Sequence, residues 1–138
     1  MKSIENLIEK ALKARNFAYT PYSHFKVGAA LLTKTGKIYE GSNIECASYP
    51  VCNCAERTAL FKAVSEGFKE FEAIAVVGGK EGEEITDYCP PCGVCRQALR
   101  EFCPDTNAFK IILAKNCNDF KVFTLNDLLP ESFGPNHI

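Results

Sequence analysis

Five consecutive apolar residues, Ala73–Val77, narrow the folds that this chain can adopt. Successive side chains of a strand point to opposite faces of its sheet, so a strand that is apolar throughout is buried on both faces. Such a sheet needs helices packed on both sides. Amphipathic patterns predict a helix beginning at Ile4, with Ser3 as its N-cap, and further helices over Cys54–Glu66 and about Cys92–Phe102.

Other short apolar runs, bounded by turn residues, predict the remaining strands. These strands are Val27–Thr33, Lys37–Gly41, Phe109–Ala114 and Phe120–Leu125. The Gly78-Gly79 pair is expected to end the central strand, and Asn126–Leu129 is expected to form one helical turn. The resulting order, α-β-β-α-β-α-β-β-α, predicts one mixed sheet with helices on both faces.

Composition limits the class of protein and its compartment. A chain of 138 residues has the size of a single domain, and its net charge of −1 argues against a protein that binds duplex nucleic acid through the phosphates. No apolar run approaches the ~20 residues of a membrane span, and the N-terminal residues lack the apolar core of a signal peptide. We therefore expect a cytoplasmic protein. In a reducing compartment its eight cysteines would be metal ligands or small buried side chains.

Two cysteine motifs stand at predicted helix starts. Cys54 and Glu56 open one helix, whereas Cys92 and Cys95 open the next with the C-x-x-C spacing of zinc ligands. Both helices follow strands, so both N-termini should lie at one edge of the sheet, where their dipoles stabilise thiolates. Three protein ligands and one open position are typical of catalytic zinc, and a nearby carboxylate can move protons for the water that zinc acidifies. The three-cysteine zinc deaminases have this arrangement.

The motifs leave two non-catalytic alternatives open. Cys52 or Cys89 could supply a fourth ligand to a structural zinc ion. The spacing Cys89-x2-Cys92-x2-Cys95 also resembles that of an iron–sulfur protein, although Leu99 lies where such a cluster requires its next cysteine.

Beyond these motifs, the chain resembles the cytidine deaminases, in particular the short class that forms homotetramers. The matching stretches are Pro21–Phe25, Val27–Leu32, Gly41–Glu45, Cys54–Ala59, Pro91–Gln97 and Leu128–Pro135. The fold class that we predict is accordingly α/β, a three-layer α/β/α sandwich with a five-stranded mixed sheet, in one domain over residues 1–138. The implied reaction is the zinc-dependent hydrolysis of free cytidine and 2′-deoxycytidine to the corresponding uridines and ammonia, in pyrimidine salvage.

The resemblance also implies the residues of the catalytic centre. Cys54, Cys92 and Cys95 would bind one zinc ion per subunit, and Glu56 would shuttle protons. Arg57 lies three residues after Cys54, on the same helix face, and could hydrogen-bond a ligand sulfur, although a surface position would also fit it.

Further residues are implied in substrate binding. Asn43 and Glu45 would hold the ribose 3′-hydroxyl, Phe25 would stack on the pyrimidine, and the backbone N–H of Ala55 would meet O2 of the base. Phe133 would reach the pocket of a neighbouring subunit. Taken alone, Phe25 could also be a core residue, and Glu45 would be read as a solvated charge were it not beside Asn43 in the matching segment.

The expected partners follow from the same resemblance. We expect a homotetramer with shared sites and a free nucleoside as the substrate, with neither a nucleic acid polymer nor a membrane as a partner. A deaminase of a modified nucleoside such as blasticidin S is the alternative within the family.

Overall fold

A five-stranded mixed sheet lies at the centre of the structure, a computed structural model that describes residues 4–138. In chain order the strands are β1 (Phe25–Thr33), β2 (Ile38–Ser42), β3 (Phe71–Lys80), β4 (Lys110–Asn116) and β5 (Asp119–Thr124). They lie in the order β2-β1-β3-β4-β5. β1 is antiparallel to both β2 and β3, β3 is parallel to β4, and β4 is antiparallel to β5.

Helices cover both faces of this sheet. They are α1 (Ile4–Arg15), α2 (Ala55–Ser65), α3 (Gly93–Glu101) and α4 (Leu125–Leu128), and short 3₁₀ turns span Tyr49–Val51 and Pro135–His137. Residues of α1 pack with Ala73, Ala75 and Val77 of β3, whereas α2 and α3 pack with Ile74 and Val76 on the opposite face. The central strand is therefore buried on both sides, and the predicted α/β/α sandwich is confirmed.

Two glycines let the helices lie directly against the sheet. A Cβ at Gly28 of β1 would lie 2.6 Å from the backbone nitrogen of Arg15 in α1. On the other face, a Cβ at Gly41 of β2 would lie 2.5 Å from the backbone nitrogen of Ala59 in α2. Side-chain atoms do not occur this close to backbone, so each glycine sets the distance between its strand and its helix.

β3 is longer than the sequence predicts. Gly78 and Gly79 do not end the strand; they pair with Val27 and Lys26 of β1. The missing side chain at Gly78 leaves room for Cys89, whose Sγ would lie 2.8 Å from a Cβ at that position. Strand pairing and this close packing explain two glycines inside a strand.

At the ends of the helices, the structure differs less from the sequence-based prediction than it does in β3. Cys92 is the N-cap of α3, so the helix proper begins one residue later than the predicted Cys92, and Pro91 precedes it. The tail after Pro130 includes a 3₁₀ turn over Pro135–His137. The N-cap predicted at Ser3 lies outside the described residues. Among residues 4–138, no helix has both the length and the apolar character needed to cross a bilayer.

The topology brings the starts of α2 and α3 together. β2 and β3 are both antiparallel to β1, so β2, β3 and β4 run in the same direction. The connections from β2 to α2 and from β3 to α3 therefore leave the same edge of the sheet. This edge is where open α/β sheets place their functional sites.

Candidate metal centre and active site

Three cysteine sulfurs meet where α2 and α3 begin. Cys54 is the N-cap of α2, Cys92 is the N-cap of α3, and Cys95 lies in the first turn of α3. Their Sγ atoms all lie within 4.8 Å of one another, and those of Cys54 and Cys92 are 3.8 Å apart. Tetrahedral zinc with Zn–S bonds of about 2.3 Å holds its sulfurs about 3.8 Å apart. The three thiols therefore fit a single zinc ion.

Hydrogen bonds are donated to two of these sulfurs, those of Cys54 and Cys92. Arg57 donates from Nη2 to Sγ of Cys54 at 3.3 Å, and the backbone N–H of Cys95 donates to Sγ of Cys92 at 3.4 Å. Hydrogen bonding to Cys95, together with that to Arg57 and Cys92, lowers the pKa of Cys54 to about 5. Hydrogen bonding to Cys54 and burial raise the pKa of Cys95. Zinc binds thiolates, so metal binding would act against the raised pKa of Cys95.

Glu56 lies beside the sulfur cluster in the first turn of α2, and only 4% of it is exposed. Burial raises the pKa of this carboxyl to about 7, and the nearby Cys54 thiolate adds to the effect. A group whose pKa lies near neutrality can both accept and donate a proton during turnover. The buried carboxyl thus has the properties of a general acid and base.

A cleft of about 660 Å³ opens beside the sulfur cluster. Four of the residues predicted for the site contribute to its wall, namely Asn43, Glu45, Cys54 and Arg57. Its size is in the range of small-molecule sites.

Asn43 uses its side chain to fix the strand beside the cleft. Its Oδ1 accepts a hydrogen bond from the backbone N–H of Val27 at 2.8 Å, and its Nδ2 donates to the carbonyl of Phe25 at 2.9 Å. The amide therefore holds the start of β1 against the cleft wall.

Glu45 is held in place from the opposite direction. One carboxylate oxygen accepts from the backbone N–H groups of Tyr22 and Ser23 at 3.0 and 3.1 Å, and the other accepts from the Ser23 hydroxyl. The side-chain hydrogen bond from Ser23 lowers the pKa of Glu45. The cleft consequently carries a fixed, ionised carboxylate on its wall.

Comparison with known proteins identifies the family. The family model for the cytidine and deoxycytidylate deaminase zinc-binding region matches residues 1–111. The chain is 51% identical over 128 residues to a cytidine deaminase of Halalkalibacterium halodurans, covering 92% of this chain and 91% of the relative. The chain belongs to the cytidine deaminase family. It is an enzyme with a zinc-binding region, and the three-sulfur cluster is the group that could hold the ion.

Two further comparisons bear on fold and substrate. A crystal structure of cytidine deaminase from Burkholderia pseudomallei is 48% identical, with a TM-score of 0.83, and the match covers 95% of this chain and 99% of that one. A blasticidin-S deaminase of Bacillus cereus is 32% identical over 133 residues, covering 94% of this chain and 91% of the relative. The structural likeness confirms the deaminase fold. The relatives include proteins named for cytidine and one named for blasticidin S.

Besides Cys92 and Cys95, four predicted residues of this deaminase lie outside the cleft wall. Glu56 and Ala55 are buried in the first turn of α2, and Phe25 begins β1, where its Cε1 would lie 3.2 Å from a Cβ at Gly78. Phe133 belongs to the C-terminal tail and is 60% exposed. In the described chain the Phe133 side chain does not reach the cleft of its own subunit.

Sequence reasoning assigned no role to two aromatic residues of the cleft. Tyr22 and Tyr49 both line it, and their rings meet edge to face with centroids 6.1 Å apart. The available signal was the position of Tyr22 within the Pro21–Phe25 motif. Aromatic rings at a cleft suit a flat, partly apolar ligand.

Arg96 was also missed. It donates from Nε to the carbonyl of Pro91 at 2.7 Å and from Nη1 to the carbonyl of Leu128 at 2.6 Å. These bonds join the loop before Cys92 to the end of α4. The signal was its place directly after Cys95 in the C-x-x-C motif.

The remaining cysteines stand apart from the metal group. Among the described residues, the group that could hold a metal contains neither Cys52 nor Cys89. The Sγ of Cys52 accepts from the backbone N–H of Cys46 at 3.2 Å. Burial raises the pKa of Cys89 to about 11, so its thiol remains protonated at neutral pH. Three sulfurs with no fourth cysteine correspond to the donor set of a catalytic site.

Proposed function

We propose that this enzyme removes the C4 amino group of free cytidine and 2′-deoxycytidine by hydrolysis, giving uridine or 2′-deoxyuridine and ammonia. Its proposed role is in pyrimidine salvage. The observation that carries the proposal is the buried carboxyl of Glu56 beside three convergent cysteine sulfurs at the edge of a nucleoside-sized cleft. The relative that is 51% identical is itself named a cytidine deaminase.

Cys54, Cys92 and Cys95 are the residues that would hold zinc, which supplies a Lewis acid that makes water nucleophilic at neutral pH. Glu56 takes a proton from the attacking water and passes it to N3 of the pyrimidine as the oxygen adds to C4. The carboxylate then takes the remaining proton from the hydroxyl group added at C4 and gives it to the departing amino group, which leaves as ammonia as the C4 carbonyl forms. One carboxyl serves as base and then as acid, in keeping with a pKa of about 7.

Arg57 is proposed to balance the charge of this centre. Three thiolates around a divalent cation leave a net charge of −1, and such an electron-rich centre activates water poorly. The bond from Arg57 to Sγ of Cys54, and the N-termini of α2 and α3, withdraw negative charge from the sulfurs.

Cleft residues are proposed to orient the substrate. Asn43 and Glu45 hold the ribose 3′-hydroxyl, the backbone N–H of Ala55 meets O2 of the base, and Phe25 stacks on the ring. Support comes from the fixed positions of Asn43 and Glu45 on the cleft wall. The N-cap side chain of α2 makes no capping hydrogen bond, so it does not compete for the N–H groups of the first turn.

A homotetramer with shared sites is the proposed assembly, in which Phe133 of one subunit completes the pocket of the next. Several large apolar side chains are exposed on the described chain, a pattern typical of surfaces that a second copy covers. They include Phe17, Tyr19, Tyr49, Val51, Phe61, Val94 and Phe133. Mixing Phe133→Ala subunits with Glu56→Gln subunits should restore activity, because the Glu56→Gln chain supplies an intact Phe133. Fully active monomers in light scattering at assay concentration would contradict the shared site.

The cytoplasm is the proposed compartment. All eight cysteines are free, as expected under reducing conditions. A free nucleoside is favoured over a polynucleotide because the net charge of −1 provides no general attraction for phosphates.

A substrate panel tests the proposal. Cytidine, 2′-deoxycytidine, blasticidin S and a cytosine-bearing oligonucleotide should be compared by ultraviolet absorbance at equal enzyme concentration, with zinc quantified in the same preparation. We expect turnover of both nucleosides and none of the oligonucleotide. Turnover of blasticidin S alone would assign the enzyme to the modified nucleosides, as the 32% identical relative permits. A zinc-loaded protein inactive on all four would contradict the proposal.

A further inference from the structure

Arg100, near the end of α3, is a buried cation without a counter-charge. Only 4% of the residue is exposed, and no salt bridge among residues 4–138 includes it. A buried charge with neutral partners costs stability, and an apolar side chain would fill the same space at lower cost. The contacts that the guanidinium makes should therefore show why an arginine stands at this position.

That geometry is directed at the C-terminal segment, residues 131–138. Arg100 donates from Nε to the hydroxyl of Ser132 at 3.0 Å and from Nη2 to Oδ1 of Asn136 at 3.1 Å. Between these two, Gly134 lies against the guanidinium, since a Cβ there would be 2.6 Å from Cζ. One planar group thus contacts the segment at three alternate positions, 132, 134 and 136.

The alternation determines where Phe133 points. Neighbouring side chains of an extended segment face opposite ways, and Gly134 is extended, with φ −152° and ψ −167°. Phe133 lies between Ser132 and Gly134, which face Arg100, and 60% of Phe133 is exposed to solvent. A second residue of α3, Gln97, holds the carbonyl of Phe133 through Nε2 at 3.0 Å.

We propose that Arg100 is a positioning residue that sets the direction of Phe133 for the pocket of the neighbouring subunit. The inference rests on the shared site under Proposed function. The α3 helix also carries Cys92 and Cys95 at its start. In the proposed assembly, one helix therefore supplies metal ligands to its own subunit and holds the Phe133 that enters the pocket of the next. Arg100 does not touch substrate and acts only through Phe133.

Mixed tetramers separate this role from a general effect on folding. Two differently tagged chains are co-expressed and purified through both tags, and kcat/KM for cytidine is measured per chain with intact Glu56. In the reference mixture, Glu56→Gln chains complement Phe133→Ala chains. Arg100→Met is then placed either on the Glu56→Gln chain, which donates Phe133, or on the Phe133→Ala chain, which does not.

The location of Arg100→Met decides the outcome. On the donating chain it should lower the restored kcat/KM by about two- to tenfold, the magnitude expected for a misplaced aromatic contact. On the other chain it should leave the restored activity unchanged. Equal activity in the two mixtures, or equal losses, would overturn the positioning role. Absence of activity in the reference mixture would instead overturn the shared site, and this proposal with it.

Two further variants guard against misfolding. Gly134→Ala on the donating chain displaces the guanidinium while keeping Arg100, so it should reproduce the loss caused by Arg100→Met. Glu101→Gln on the same chain alters the neighbouring, exposed residue of α3 and should have no effect. Zinc content and Tm are measured for every mixture. A loss with Glu101→Gln, or none with Gly134→Ala, would contradict the inference.

Discussion

The two helices that form the metal cluster begin in different environments. At the start of α2, Ala55 and Glu56 are buried, and the backbone of the helix lies against Gly41 of β2. At the start of α3, Cys92 and Val94 are exposed, with 61% of Val94 open to solvent. Both helices have a cysteine as N-cap, but only one is held against the sheet from its first residue.

This contrast indicates a division of work within the site. Burial at the start of α2 shields Glu56 from water and so raises the pKa of its carboxyl to about 7. The start of α3 supplies two sulfurs, that of the exposed Cys92 and that of the buried Cys95. Its later residues, Gln97 and Arg100, hold the C-terminal segment. Changes in α2 should therefore affect chemistry most, whereas changes in α3 should affect metal retention and assembly.

The largest effects are expected from the sulfur ligands, which both helices supply. Cys54→Ala, Cys92→Ala or Cys95→Ala should abolish stoichiometric zinc and with it activity, because two sulfurs and water hold zinc poorly. Cys52→Ser and Cys89→Ser are the matched controls and should keep zinc and most activity. Metal analysis of the five proteins checks this, and loss of zinc from Cys89→Ser would point to a four-cysteine site instead.

Glu56→Gln sharpens the contrast by removing the proton chemistry of α2 alone. The amide keeps the shape of the side chain but cannot act as a base, so kcat should fall by about 10²–10⁴-fold. Zinc content should remain at the level of the unmodified enzyme, as measured on the same sample. Loss of zinc or of the folded state would show that Glu56 has a structural role.

Arg57→Ala should have a smaller effect, again through α2. Removing the hydrogen bond to Sγ of Cys54 should lower kcat by about 10–100-fold, with less change in zinc content. Arg57→Lys should recover part of the activity, since it keeps the charge. If the Arg57→Ala enzyme had the kinetics of the parent, Arg57 would have no role in water activation.

A pair of glycine variants tests the packing difference directly. Gly41→Ala forces a methyl group into the backbone of α2 and should destabilise the fold by about 1–3 kcal/mol. Gly93→Ala, in the first turn of α3, meets no atom within 4 Å and should change stability by less than about 0.5 kcal/mol. Urea unfolding of both variants measures the difference, and equal stabilities would show that the two helix starts are packed alike.

The sequence predicts those parts of the site that depend on local spacing. Cys92 and Cys95 share a helix turn, and Cys54 begins the neighbouring helix, so the cluster follows once the sheet order is known. Spacing alone could not separate Cys89 from the cluster, because its position depends on the loop that packs it over Gly78.

Long-range contacts account for the remaining differences. The extension of β3 through Gly78 and Gly79 depends on pairing with β1 and overrides the usual meaning of two adjacent glycines. Arg100 gave no signal, since a charged residue on a helix is ordinarily exposed. Its burial arises only when the C-terminal segment folds back over α3.

Zinc titration tests the central claim most directly. The enzyme is depleted with a chelator under reducing conditions, zinc is added back in substoichiometric steps, and cytidine deamination is measured at each step. Activity should be lost on depletion and return linearly with added zinc, reaching a plateau at one zinc per chain. Full activity in the depleted protein, or a plateau with zinc bound and no deamination, would contradict it.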